Sequence, residues 1–183
     1  MPKPWLQRSS SVLVKDPYIC LRADACELPS GKLLDPYYVL EERDWVHIFA
    51  LGPEGHVLTV SQYRYAARTL TTELPGGIID DGEAPLATAQ RELQEETGFR
   101  AARWTPLGWA YANPARQTNR VHMFLAEELD AGGAQALDAS EDIEHAFLHP
   151  DQIKAQIRAG RFSQLHHIAT FYLCLEHLAA RSG

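Results

Sequence analysis

Four charged residues within one short stretch carry the chemistry open to this chain: Arg91, Glu92, Glu95 and Glu96. On a helix, at about 100° per residue, Glu96 falls roughly 40° to one side of Glu92 and Glu95 roughly 60° to the other. Three carboxylates then fan over about 100° of one surface. Like charges at i, i+3 and i, i+4 repel by about a few tenths of a kcal/mol per pair. They also crowd the C-terminal half, where the helix dipole disfavours negative charge. Helix stability does not account for such a set, and a solvated acidic face is the ordinary alternative. A hard divalent cation does account for it. Mg²⁺ or Mn²⁺ takes oxygen ligands from one or two carboxylates and fills its remaining positions with water and substrate phosphate.

The helix that must present these acids is marked by its apolar period. Leu86, Ala89, Leu93 and Thr97 recur at spacings of three and four, Pro85 suits a first turn, and Gly98 suits the position just past the end, so a helix is expected over Pro85–Thr97. Ahead of it the pattern is that of strands. Ser11–Val14, Tyr18–Glu27 and Pro36–Leu40 read as an antiparallel meander with a turn at Pro29-Ser30-Gly31. Trp45–Leu51 and His56–Tyr63 flank a hairpin loop at Gly52–Gly55, and Thr69–Leu74 is a short strand stopped by Pro75-Gly76-Gly77. After the helix, strands are expected at Pro106–Tyr111, Val121–Ala126 and His145–Leu148, and a short helix at Asp151–Ile157 ends by Gly160. A last helix capped by Ser163 should bury Leu165, Ile168, Phe171, Tyr172 and Leu175. The order implies an α/β chain, a mixed sheet with helices packed on it.

Composition bounds the function. The 183 residues have 45% hydrophobic and 22% charged content, which suits one soluble domain with an extension. A formal net charge of -7 leaves no global basic field for a nucleic-acid backbone, so an anionic substrate needs local cations or bound metal. The three cysteines have no CxxC spacing, which suits a reduced, cytoplasmic protein without a disulfide framework or zinc site. No apolar run reaches membrane-spanning length and the start, MPKPWLQRSS, has no signal-like core.

The spacing around the acids narrows the reading. Gly77, five residues, Glu83, seven residues, Arg91-Glu92-Leu93, one residue, Glu95-Glu96, one residue, Gly98-Phe99 is the full motif of the Nudix hydrolase superfamily. Its seven identities would arise by chance in a chain this long about once in a million. Beyond that box, Ser61-Gln62-Tyr63-Arg64-Tyr65 and Thr72-Glu73-Leu74-Pro75-Gly76-Gly77 resemble the ADP-ribose and nucleotide-sugar pyrophosphatase branch, and Pro114 matches a proline which that branch carries after the box.

The resemblance implies an α/β/α sandwich around a mixed sheet, residues 43–183, preceded by an N-terminal meander, residues 1–42, of a kind often exchanged between the subunits of a homodimer. It implies Glu92 and Glu96 as the main metal ligands, Glu95 as a further ligand or one acting through water, and the Gly76 carbonyl completing the set. Arg91 would orient the glutamates, pairing with Glu83. Arg64 would contact the diphosphate, with Glu73 and Arg116 as further substrate-binding residues. A general base is expected on the acidic loop Ala139–Glu144, Glu141 before Glu144. The implied activity is Mg²⁺-dependent hydrolysis of a nucleoside diphosphate linked to a sugar, ADP-ribose foremost. Dinucleoside polyphosphate hydrolysis and a silent binding module are the alternatives. One departure stands out: where ADP-ribose enzymes continue past the proline with glycine and acids, this chain has Ala115-Arg116-Gln117-Thr118-Asn119-Arg120. His166-His167, on the last helix, is read as helix packing or surface, and the four tryptophans as core or interface.

Overall fold

The computed structural model describes residues 1–139 and 141–181. By internal contacts the chain divides into two compact units. The first comprises Met1–Asp44 and Tyr111–Arg120, so the segment around Pro114 joins the meander, although the sequence alone suggested a boundary at 42. Its sheet is antiparallel, in the order β1 (Leu6–Lys15), β2 (Cys20–Glu27), β3 (Leu33–Leu40). Backbone bonds from the Leu40 amide to the Arg116 carbonyl and from the Thr118 amide to the Leu40 carbonyl, 2.8 and 3.1 Å, tie the returning segment to β3. Every residue of β1 is exposed, Leu6, Val12, Leu13 and Val14 included.

The second unit is built on a mixed, seven-stranded sheet. Its central strand, β4 (Trp45–Leu51), pairs in parallel with β9 (Arg120–Ala131) and antiparallel with β5 (Val57–Arg64) and β7 (Gly76–Ile78). β5 also pairs with β6 (Thr69–Glu73) and β10 (Glu144–Leu148), and β9 is followed in the sheet by β8 (Phe99–Tyr111). The strand Thr69–Glu73 does stop before Pro75-Gly76-Gly77, as expected, but Gly76–Ile78 then forms a further strand, because its backbone finds an open edge on β4.

Side chains alternate across β4, and each face has its own core. Val46, Ile48 and Ala50 pack with Ala89 and Leu93 of α1 (Pro85–Thr97). Phe49 packs with Ile153 of α2 (Pro150–Arg158) and with Phe171 and Cys174 of α3 (Leu165–Arg181). The result is a helix–sheet–helix sandwich. Leu93 is fully buried, and cutting it to Ala would cost about 2–5 kcal/mol.

Two helix expectations are corrected. α1 runs over the expected residues and ends on Gly98 in the left-handed conformation, but Leu86 is exposed, and Thr88 and Glu96 are buried. α3 starts at Leu165, where the Ile168 amide already bonds to the Gln164 carbonyl, so Gln164 stands at the cap position assigned to Ser163. Its buried residues are His167, Thr170, Phe171 and Cys174, while Leu165 and Tyr172 are exposed. The sheet presents polar His47 to this helix, and the helix answers with its own polar positions.

Candidate active site

α1 brings three acids to the β7 edge in three different environments. Glu96 is only 3% exposed, and its Oε2 accepts a 2.9 Å hydrogen bond from the Gly76 amide. Burial holds its carboxyl well above the usual range, and the nearby charge of Glu92 adds to the effect. Glu92 is raised to about 7, chiefly by burial, with Arg91 opposing and Glu95 and Glu141 reinforcing. Glu95 is the most exposed of the three.

Arg91 ties this set together. Its Nη1 donates to Glu92 Oε1 and Glu95 Oε2, both at 2.9 Å, and its Nε and Nη2 reach the two Glu83 oxygens at 3.2 and 3.0 Å. Glu83 also accepts from Thr88 Oγ1 at 2.7 Å, and these bonds, Arg91 first, bring its carboxyl down to about 2. The glycines are dictated by contact: a Cβ at Gly77 would collide with the Glu92 carboxylate, and one at Gly76 with the Val46 carbonyl.

Among the described residues, no three His, Cys, Asp or Glu side chains converge into a ready-made cation cage. Glu92 and Glu95 are turned toward Arg91 and Glu96 toward the Gly76 amide. The donor set still fits a hard divalent cation, because Glu92 and Glu96 are like charges forced together in a partly dry site that favours neutralisation.

A second cluster gathers around Glu73 at the end of β6. Arg64 Nε and Nη2 grip Glu73 Oε1 and Oε2 at 2.9 and 2.6 Å. Glu73 is 1% exposed and also accepts from Thr71 Oγ1 and from the Gln164 side chain. Burial opposes its ionisation, but the Arg64 and Thr71 hydrogen bonds keep its carboxyl below the usual range. His167 Nε2 lies 3.6 Å from Glu73 Oε2, its Nδ1 accepts from the Leu74 amide at 3.2 Å, and His47 stacks on the ring at 3.8 Å. Sequence reasoning missed His47, Thr71 and His167 here. Only Thr71 had a local signal, since it lies two residues before Glu73 on the same strand face.

The remaining expected residues are spread out. Glu141 lies in the loop before β10, where its Oε2 accepts from the Asp138 amide at 2.9 Å, and its negative charge acts on Glu92, Glu96 and Arg64. Ser140 of the same loop lies outside the described residues. Glu144 opens β10 opposite Ser61 of β5. Arg116 belongs to the first unit, where its amide bonds to the Asn113 carbonyl at 2.9 Å.

Comparison with known proteins bears on the family and the fold. Residues 42–168 match the model of the NUDIX domain, and residues 5–40 match that of the nucleoside diphosphate sugar hydrolase N-terminal domain. An ADP-ribose pyrophosphatase of Bacillus subtilis is 35% identical over 127 residues, 69% of this chain and 68% of that protein. A CMP-5'-(N-acetyl-N-hydroxy-3-aminopropyl)phosphonate hydrolase of Streptomyces rubellomurinus is 27% identical over 157 residues, 86% of this chain and 75% of that protein. The crystal structure of an ADP compounds hydrolase superposes with a TM-score of 0.88 over 99% of this chain and 97% of that one, at 18% identity, a likeness of fold.

Proposed function

This chain belongs to the NUDIX family, and from that premise we propose that it hydrolyses the diphosphate of a nucleoside diphosphate linked to a sugar, with ADP-ribose the foremost substrate. Water adds to one phosphorus, the P–O–P bridge breaks, and a nucleoside monophosphate and a sugar phosphate leave. The observation that carries this reading is the burial of Glu92 and Glu96 side by side against Gly76-Gly77, an arrangement whose charge is costly until a cation neutralises it.

Glu92 and Glu96 would hold Mg²⁺ or Mn²⁺, with Glu95 and the Gly76 carbonyl as further oxygen donors. When bound, the ion supplies Lewis acidity toward the phosphoryl oxygens. Arg91 keeps Glu92 and Glu95 oriented, itself anchored on Glu83. Arg64, planar and always charged, binds the diphosphate, and Glu73 completes that subsite. Glu141 takes the proton of the attacking water, a role supported by the effect of its charge on Glu92, Glu96 and Arg64; Glu144 is the alternate base.

Purified protein with Mg²⁺ should be assayed against ADP-ribose, other nucleotide sugars, dinucleoside polyphosphates and dNTPs, with products analysed in ¹⁸O-labelled water. Cleavage of a nucleotide sugar to two phosphate monoesters, abolished by EDTA and restored by Mg²⁺, is the expected result. Rapid turnover of dNTPs or dinucleoside polyphosphates with nucleotide sugars untouched would overturn the substrate class.

A further inference from the structure

We propose that His167 is a positioning residue for Arg64, acting from α3 through Glu73. This rests on the reading that Arg64 binds the diphosphate. The Leu74 amide donates to His167 Nδ1 at 3.2 Å, so that nitrogen is an acceptor and the ring proton sits on Nε2. Nε2–H then faces Glu73 Oε2 across 3.6 Å, too long for a full hydrogen bond but close enough to favour the charged carboxylate. The tautomer is thus fixed by the backbone of the residue next to the one it supports. His47 stacks on the imidazole with planes 18° apart, and Phe162 meets it edge-on, so the ring has one orientation.

The polar and charged groups facing this ring are Glu73 and Arg64 from β6 and β5, His47 from β4, and the neighbouring His166. Burial keeps the ring neutral, with its pKa lowered to about 3. A neutral ring with its N–H toward Glu73 stiffens the carboxylate without competing with Arg64 for its charge. Arg64 itself has a long, flexible stem and is 42% exposed at its side chain. Holding its guanidinium in place before substrate arrives lowers the ordering cost of binding. The same amide bond anchors Leu74, two residues ahead of Gly76, whose own amide is held by Glu96. The stretch from Glu73 to Gly76 is therefore braced by α3 at its start and by α1 at its end.

Two replacements separate this role from plain packing. His167→Phe keeps the ring and its stacking but removes both nitrogens, whereas His167→Gln keeps a donor near the Nε2 position and loses the ring. Positioning predicts that Phe raises KM for ADP-ribose about tenfold with kcat within threefold, and that Gln stays within threefold of wild type in both. Packing predicts the reverse order, and that order overturns the proposal. In an Arg64→Ala background His167→Phe should add less than twofold; an undiminished tenfold effect there also overturns it. Hydrogen exchange of the Arg64 side-chain Nε–H, followed by NMR on the full chain and identified by its loss in Arg64→Lys, needs no substrate. It should quicken at least tenfold in His167→Phe and little in His167→Gln, and an unchanged rate in both refutes the brace. If ADP-ribose is not turned over, the substrate reading falls while this exchange rate still decides the role of His167.

Discussion

Glu96 and Gly76, 20 residues apart in the chain, are joined by a 2.9 Å hydrogen bond from the glycine amide to the buried carboxylate. The bond turns an acid on α1 toward the backbone of β7, so one contact fixes the helix and the glycine pair of the motif together. A glutamine at 96 can keep it through its amide oxygen but offers a metal a neutral donor. Glu96→Gln and Glu92→Gln should therefore fold normally by circular dichroism and lose about two orders of magnitude or more in kcat. Near-wild-type turnover in both would remove them as metal ligands.

Without metal, the same acids should set a pH dependence of stability. Glu92 is raised from 4.5 to about 7 in the folded chain, and Glu96 shifts in the same direction. Between those values the native state binds more protons than the unfolded one, so stability falls as pH rises through that window. The loss attributable to Glu92 is roughly 3 kcal/mol at most. Glu83, lowered to about 2, works oppositely and only below its unfolded value of 4.5. Urea midpoints in EDTA at pH 5 and 8 should differ clearly for the wild type and less for Glu92→Gln, where Glu96 still titrates, and saturating Mg²⁺ should restore the wild-type midpoint at pH 8.

Arg64→Ala should depress kcat/KM by about one to two orders of magnitude, the scale of a lost charge-assisted contact. It should also destabilise the fold, because Glu73 is left buried and charged without its partner, which typically costs about 3–5 kcal/mol. Adding Glu73→Gln to Arg64→Ala should recover much of the melting temperature and none of the activity. Recovery of both would show that the pair is structural.

The two loop acids make a direct comparison. Glu141→Gln should lower kcat about 100-fold or more, and Glu144→Gln by less than about tenfold, since the charge of Glu141 is among the largest influences on Glu92, Glu96 and Arg64. Steady-state rates at saturating Mg²⁺ decide between them, and the opposite order would make Glu144 the base.

The proposed dimer would use the exposed apolar length of β1 as its contact surface. Light scattering should give a dimer, and removal of residues 1–42 should yield insoluble or inactive protein. A fully active monomer after that deletion would dissolve the link between the meander and the enzyme.

How much of this was legible in the linear chain depends on whether the signal was local. The motif from Gly77 to Phe99 and the helix Pro85–Thr97 were readable because spacing along one helix fixes which side chains share a face. β4 was readable for the same reason, as an apolar run between turn residues. Which acid would be buried was not readable: a carboxylate on a helix surface becomes dry only when a particular strand edge, here Gly76, closes over it. The strand at Gly76–Ile78 escaped notice because pairing with β4 is a property of the partner edge and leaves no mark in Pro75-Gly76-Gly77. The buried face of α3 was misassigned because hydrophobicity nominated Leu165 and Tyr172, while the sheet offered polar His47 and buried His167 and Thr170 instead. By itself the sequence determined the family chemistry, which needs a few residues at set intervals. Only the tertiary structure decided the charge state of each acid and the partners of Arg64. Those follow from distance and exclusion of water, and both are created when distant segments pack together.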